Sequence, residues 1–349
     1  MSNFGLKWET TTQYNAGIDL SMFRNRLEFV ADIYHKNTRD LLVQVPTAPS
    51  TGYSRIQQNF ATMTNRGLEM SVTGRIFTRK PFSWDSSFNI SFNKTKVGRL
   101  TPDYFESGMA LPWNAITTQI LIQHEELGIF WGYKRDGIRQ EGDPELPYTV
   151  NGVVVDVGDQ KYVNRDGNGV INSDDKMIIG RAQPLFVCGF NNSFSFKGFD
   201  LTIYIDGSYG NDICNMNRMR GMQFGSLHQF AEVMNRWTRE NPSDIYPKVR
   251  NRNNAVATLL FSDLHIEDGS FLRIQNINLG YALPSALTQK ISISKARVFA
   301  SIQNVHTFTK YSGYTPDVSI NRANNLQMGH DNGAYPTPVI YNFGINLTF

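Results

Sequence analysis

Strict alternation of apolar and polar side chains is the feature of this sequence that most restricts its fold. The closing segment YNFGINLTF (341–349) would place Asn, Gly, Asn and Thr on one side of a strand, because successive side chains of a β-strand point to opposite faces. The other side would carry Tyr341, Phe343, Ile345, Leu347 and Phe349. The segments PFSWDSSFNISFN (81–93) and FDLTIYID (199–206) show the same pattern. The sequence therefore predicts β-strands with two unlike faces.

Period-two patterning predicts eleven strands in all. They lie near residues 10–22, 27–38, 64–77, 82–94, 115–123, 128–138, 187–196, 199–209, 270–283, 291–304 and 338–349. Short links such as RNR, RKP, HEE, KG and PSALTQK alternate with long links around 39–63, 95–114, 139–186, 210–269 and 305–337. In an up-and-down antiparallel sheet, every second connection lies at the same end. The sequence thus predicts one end of tight turns and one end of large loops.

This plan is typical of an outer-membrane barrel with short periplasmic turns and longer external loops. The expected fold is all-β, an antiparallel up-and-down transmembrane β-barrel whose interfacial belts would include Tyr14, Trp84, Tyr281, Tyr341 and Phe349. A soluble sandwich would alternate as well. Eleven is odd, whereas bacterial single-chain barrels have even strand numbers, so we expect the chain to be the C-terminal half of a larger barrel.

Composition narrows the functional classes. The chain has 349 residues, of which 40% are hydrophobic and 19% charged, with a net charge of +3, which excludes disorder and gives no broad basic face for nucleic acid. No run approaches the roughly 18 apolar residues of a membrane helix. No export signal is visible after Met1. The two cysteines, Cys188 and Cys214, form no disulfide framework; a hairpin about 197–198 would set Cys188 opposite Gly207.

Several phrases resemble the C-terminal part of SusC/RagA-type TonB-dependent outer-membrane transporters, in the same order and over essentially the entire chain. They are LKWETTTQYNAGID (6–19), NRGLEMSV (65–72), GIFWGYKRDGI (128–138), NSFSFKGFDLT (192–202), GSFLRIQNINLGYALP (269–284), QNVHTFTKYSGYTPD (303–317) and the terminal Phe349.

The resemblance implies an integral protein of the outer-membrane lipid with a 22-stranded barrel, a plug, a TonB-contacting segment and a SusD-like surface lipoprotein as a lid. Such transporters import glycan oligosaccharides or peptides. Residues 1–349 would then be the C-terminal portion of the barrel, without the plug or the N-terminal half, and we expect them not to transport alone. The resemblance also implies that Tyr341, Phe343, Ile345, Leu347 and Phe349 form a membrane-insertion signal.

A different class of function is a soluble all-β carbohydrate-binding module, in which the apolar faces would meet in a core. An enzyme is not predicted, because the histidines are scattered and no nucleophile elbow or phosphate loop occurs. Aromatic residues of the long links could stack on sugars, contact a lipoprotein lid or form small loop cores. These residues are Tyr104, Phe105, Trp113, Phe224, Phe230, Trp237 and Tyr246.

The segment NRDGNGVINSDD (164–175) is a candidate calcium loop, because Ca²⁺ requires six to eight oxygens and a glycine permits the turn that gathers them. The ligands would be Asn164, Asp166, Asn168, Val170 through its carbonyl, Asn172 and Asp175. Position 1 is Asn164 where such loops usually carry Asp, which reduces the negative charge of the site. Position 12 is Asp175 where they carry the longer Glu, which reduces the reach for binding Ca²⁺ through both carboxylate oxygens. A run of Asx and Gly turns without an ion is the alternative.

Overall fold

Nine antiparallel strands pair in chain order to form one open sheet. The computed structural model describes residues 5–46, 50, 52–53, 55–79, 81–100, 109–113, 116–150, 152–222, 229–249, 260–288, 292–318 and 328–349. The sheet strands are β1 (Thr10–Met22), β2 (Leu27–Pro46), β3 (Arg55–Phe77), β4 (Phe82–Leu100), β5 (Phe186–Phe196), β6 (Phe199–Tyr209), β7 (Phe271–Ala282), β8 (Lys295–Thr309) and β9 (Ile340–Thr348). The antiparallel all-β class is confirmed.

The prediction of eleven barrel strands is wrong, because the segments 115–123 and 128–138 do not join this sheet. The first gives Ile116–Leu121, residue 115 lying outside the described residues, and the second begins with Ile129–Gly132. Both of these strands belong to a separate four-stranded sheet, and the rest of the second segment, Arg135–Ile138, pairs with Gln160–Tyr162. Thr118 and Gln119 in the first segment are buried together with their apolar neighbours. These segments therefore pack on both faces, whereas a barrel strand meets lipid on one face.

The tight turns and the long loops segregate to opposite ends of the sheet. Residues 23–26, 78–81, 197–198 and 283–294 connect the strands at one end, and 47–54, 101–185, 210–270 and 310–339 connect them at the other. The link HEE, counted with the tight turns, instead lies within the long connection 101–185 and packs along β4, where the His124 N–H donates to the Val97 carbonyl at 2.8 Å. β2, β3 and β4 are longer than predicted because their pairing continues beyond the apolar rows into the loops.

The long connections fold onto one another as an external body of short elements. Its strands are Met109–Trp113, Ile116–Leu121, Ile129–Gly132, Arg135–Ile138, Thr149–Val150, Val153–Val154, Gln160–Tyr162, Val170–Ile171, Met177–Arg181, Asp212–Asn215, Ile266–Asp268 and His330–Asp331. Its helical turns are Ser173–Asp175, Met216–Gly221, Ala231–Asn235 and Asp263–His265; one more, Ser285–Thr288, lies at the tight-turn end. Among the described residues, no helix is both long and apolar enough to cross a membrane.

Candidate functional site

One face of the nine-stranded sheet is apolar from strand to strand, and we call it the outer face. Cross-strand pairing aligns its side chains in rows: Leu201 faces Leu279, then Ala300, then Phe343. These side chains stay uncovered, and Phe343 is 80% exposed and Ile345 66% exposed. None of the hydrophobic clusters formed by the described residues includes a side chain of β5 to β9. The apolar faces do not meet in a core, which a soluble module would require.

Aromatic rings concentrate at the two ends of the outer face, as expected for belts at membrane interfaces. Near the tight turns, Phe199 lies against Tyr281 with ring centroids 4.4 Å apart. Near the loops, Phe186 lies 5.8 Å from Phe92 and 5.3 Å from Tyr209. The outer face therefore has the aromatic borders of a surface that lies in a bilayer.

The opposite face, which we call the inner face, carries small polar and charged side chains. Its neighbours bond across the strands, as Ser83 and Ser195 do with their hydroxyl oxygens 2.6 Å apart. The Arg297 Nε donates to Asp200 Oδ1 at 2.9 Å, and the guanidinium lies flat over Gly280, where a Cβ would sit 2.5 Å from the Arg297 Cζ. The inner face is thus suited to water and polar ligands.

A pocket of about 470 Å³ opens on the inner face where β6 and β7 meet the external body. Arg273 lies at its wall, with Nε donating to Asp206 Oδ1 at 3.1 Å and one Nη donating to Asp206 Oδ2 at 2.7 Å. The other Nη lies 3.7 Å from Asp317, and the Arg273 side chain is 13% exposed. Asn89 and Tyr204 contribute further polar groups to the lining. A guanidinium, an amide and a phenol offer hydrogen bonds to hydroxyl or peptide groups.

Sequence reasoning named no ligand-binding residue in this pocket. One signal was present: Asp206 and Arg273 carry opposite charges on the polar faces of two neighbouring strands, and the pairing register places them directly opposite each other. The contribution of Asp317 could not be found this way, because it comes from the connection after β8.

The external body has its own hydrophobic cores, and the open question about the role of the loop aromatics is answered for Trp237. Trp237 is buried and donates its indole N–H to Gln140 Oε1 at 2.8 Å. Tyr246 donates its hydroxyl to Glu232 at 2.7 Å. Both hydrogen bonds stabilise the loops, and the buried Trp237 is not available to stack on a sugar. Tyr104, Phe105, Phe224 and the side chain of Trp113 lie outside the described residues, and Phe230 is 45% exposed.

Two buried ionisable groups help to hold the external body together. The Tyr311 hydroxyl donates to Asp331 Oδ2 at 2.6 Å, and burial followed by the adjacent carboxylate raises the pKa of Tyr311, so the phenol stays a donor. Burial lowers the pKa of His265 to about 4, and its Nδ1 accepts the Ser262 N–H at 3.2 Å. Because the His265 imidazole is neutral and buried, we assign it a structural role.

In the candidate calcium loop, backbone N–H groups occupy the side-chain oxygens. Asp166 Oδ1 accepts an N–H at 3.0 Å, and Asn164, Asn168 and Asn172 each accept one through Oδ1. The buried Asp175 accepts one on each carboxylate oxygen, at 2.7 and 2.9 Å. Within the described ranges, no group of three or more His, Cys, Asp or Glu side chains is placed to hold a metal. The calcium site stays a prediction.

Comparison with known proteins decides the family. The family model described as TonB dependent receptor-like, beta-barrel matches residues 1–171. TonB-dependent receptor P3 of Formosa agariphila is 34% identical over 355 residues, which cover 100% of this chain and 35% of that protein. The chain belongs to the TonB-dependent receptor family. Within the family, TonB-dependent receptor SusC of Bacteroides thetaiotaomicron is 26% identical over 99% of this receptor chain and 32% of SusC.

The fold of this receptor chain agrees with solved structures of the family. The structure of the RagAB peptide transporter superimposes with a TM-score of 0.82 at 26% identity, over 100% of this chain and 36% of that one. The RagAB peptide importer in its 'open-open' state gives 0.78 at 25% identity, over 99% and 35%. The receptor chain spans about a third of the length of the curated relatives that it matches.

The predicted insertion signal lies on β9 and just after it, at one edge of the sheet. Tyr341, Phe343, Ile345 and Leu347 alternate with polar residues, and their partners on β8 are Ile302, Ala300, Val298 and Ala296. Phe349 follows β9 and is 85% exposed. Tyr341, Phe343, Ile345 and Leu347 lie on the outer face, and the role of the five residues as an insertion signal stays a prediction. Cys188 pairs opposite Gly207, as predicted, and both Cys188 and Cys214 are free thiols.

Proposed function

We propose that this receptor chain forms wall and external loops of an outer-membrane importer that acts with a SusD-like surface lipoprotein and carries glycan oligosaccharides or peptides. The observation that carries this proposal is the single-layered sheet, which has an uncovered apolar face and a continuous polar face. Hydrocarbon can solvate the first face, and the paired strands leave few backbone groups unsatisfied in lipid. The second face can line an aqueous conduit.

The inner-face pocket supports a role in handling the cargo. It lies between the polar wall and the loops, so a ligand entering from outside would meet it before it passed along the sheet. Arg273 is fixed on both sides by Asp206 and Asp317, so its guanidinium is preorganised and little side-chain entropy is lost on binding. Oligosaccharide hydroxyls and peptide carbonyls could both use such donors.

The external body supports the partner part of the proposal. It is a folded structure with hydrophobic cores, so it can present a defined surface to a lipoprotein lid. The solved relatives that superimpose on this chain are described as a peptide transporter and importer named RagAB, and SusC is the relative from B. thetaiotaomicron. TonB would supply the energy for release of the cargo.

Uptake of labelled cargo tests the proposal. A strain that lacks the receptor gene should lose uptake of either a labelled oligosaccharide pool or a labelled peptide pool, and the complete gene should restore it. Replacement of Arg273 by Gln should reduce uptake about tenfold or more, because a charge-assisted hydrogen bond is lost. Replacement of Arg75 by Gln, on the inner face near the tight turns, should leave uptake unchanged. Normal uptake of both pools by the deletion strain would refute the transport role.

The lipoprotein is tested separately. The affinity-tagged receptor should co-purify from detergent-solubilised outer membranes with one lipoprotein in a stoichiometric ratio. The lid proposal would be contradicted if the receptor were recovered alone and crosslinking also captured no partner, in membranes whose uptake was intact before solubilisation.

A further inference from the structure

A groove of about 710 Å³ crosses the outer face of β1 to β4. Two successive rows of outer-face side chains form its walls, and the backbone of the row between them forms its floor. The apolar wall is Ala16, Ile33, Leu68 and Phe92; the other wall is Tyr14, His35, Arg66 and Lys94. Pro184 and Leu185 close one end. The volume is in the range of small-molecule sites.

The height of the groove follows from strand geometry. Tyr14 and His35 lie eight residues from the tight-turn ends of β1 and β2, and Lys94 lies twelve residues from the start of β4. At about 3.4 Å per residue and a tilt of about 40°, these separations correspond to roughly 20 to 30 Å of depth. The apolar band of such barrels is about 25 Å tall. The groove therefore lies at the outer border of the hydrocarbon.

Charge in the groove is predominantly positive on the loop side. The Arg66 Nε donates to His35 Nδ1 at 3.0 Å, which orients the guanidinium and leaves its terminal nitrogens for another acceptor. Lys94 forms an ion pair with Glu126, which also lies 3.8 Å from Arg181. Among the described residues, no carboxylate forms an ion pair with Arg66.

We propose that this groove binds a phosphorylated, acylated lipid of the outer leaflet, with an acyl chain along the apolar wall and a phosphate at Arg66. Simple snorkelling of cations to an interface would need only side chains that reach outward. Here a concave apolar surface lies directly beneath an arginine that is fixed by a neighbouring imidazole. This combination matches both halves of an anionic amphiphile, and guanidinium groups bind phosphate with two parallel hydrogen bonds. The proposal rests on the chain spanning the outer membrane.

Native mass spectrometry of the purified, delipidated receptor tests the site. The probes are lipid A with its phosphates, lipid A from which the phosphates have been removed, and inorganic phosphate. The receptor should retain the phosphorylated lipid about tenfold or more in preference to the dephosphorylated lipid. Arg66→Gln should abolish that preference. Arg75→Gln, the same change on the same strand but on the inner face, should preserve it.

A second variant tests the apolar half independently. Ala16→Trp fills the groove and should reduce retention of both lipids, with Arg66 intact. Equal retention of the two lipids by the unmodified receptor, an unchanged preference in Arg66→Gln, or competition by inorganic phosphate at the same concentration would overturn the proposal. Normal uptake of both cargo pools by the deletion strain, together with an intact lipid preference of the purified receptor, would count against the transport function alone, because the binding assay does not depend on cargo.

Discussion

Replacement of Ile203 by Arg tests directly whether hydrocarbon solvates the outer face. Ile203 lies four residues beyond the start of β6, which follows a tight turn. At about 3.4 Å per residue and a tilt of about 40°, Ile203 lies roughly 10 Å from the tight-turn border of the apolar band. This position is close to the middle of a band about 25 Å tall. Its cross-strand neighbours on the outer face are Asn192 and Ile277.

The expected cost is the sum of two terms. An arginine on the lipid face near the midplane costs about 2–4 kcal/mol, and removal of the Ile side chain from the hydrocarbon costs about 1.5–3 kcal/mol. Ile203→Arg should therefore lower the free energy of unfolding by about 4 kcal/mol or more, a factor of about 10³ in the equilibrium constant. Thr202→Arg, one residue earlier on the inner face, should change it by about 0.5 kcal/mol or less.

Guanidinium unfolding of the receptor from phosphatidylcholine vesicles, followed by tryptophan fluorescence, measures both values. Ile203→Ala separates the packing term from the charge, and it should account for less than half of the loss. Equal losses for Ile203→Arg and Thr202→Arg, or a larger loss for Thr202→Arg, would refute the assignment of the two faces.

Three further predictions concern the loops and the terminus. Burial lowers the pKa of His265 to about 4, whereas an unfolded His has a pKa of about 6.5, so the unfolded state binds the proton first and stability falls as pH decreases from about 6.5 to 4. The loss of stability should be about 2 kcal/mol at pH 5. Hydrogen exchange of residues 260–268, corrected for intrinsic rates, should show this loss in the parent protein but not in His265→Gln. Calorimetry with Ca²⁺ should give binding heats that are lost in Asp166→Ala and retained in Asp136→Ala. Unchanged heats in Asp166→Ala would refute the predicted calcium site. Phe349→Ser should lower the amount of receptor assembled in the outer membrane, measured by immunoblot of fractions, and normal assembly would contradict the insertion signal.

The strands that meet lipid could be predicted closely from the sequence, because a local pattern decides them. The segment 10–22 coincides with β1 and 199–209 with β6, and the hairpin about 197–198 set Cys188 opposite Gly207 in the correct register. In these strands each side chain meets either hydrocarbon or water, so the alternation of the sequence reports the face directly.

The external body could not be predicted in this way, because its burial depends on contacts between distant segments. Thr118 is fully buried and its hydroxyl lies 2.9 Å from His330 Nε2, a partner more than two hundred positions away in the chain. Short apolar runs that pack on both faces have no period to reveal their sheet. The inner-face pocket has the same origin, since Asn89, Asp206 and Asp317 become neighbours only through strand order and loop packing.

The wall and the external body are connected strongly enough that movement of one should be felt by the other. β3 and β4 continue past the apolar rows, and Val97 and Leu100 enter a hydrophobic cluster of the body. The Gln183 side chain donates to the carbonyls of Thr95 and Leu127 at 2.9 and 2.7 Å, which joins β4 to two loop segments. Met328 packs against two of the clusters and also lines the inner-face pocket. Because these packed contacts cannot deform continuously, we expect a lid that shifts the external body to change the shape of the pocket around Arg273.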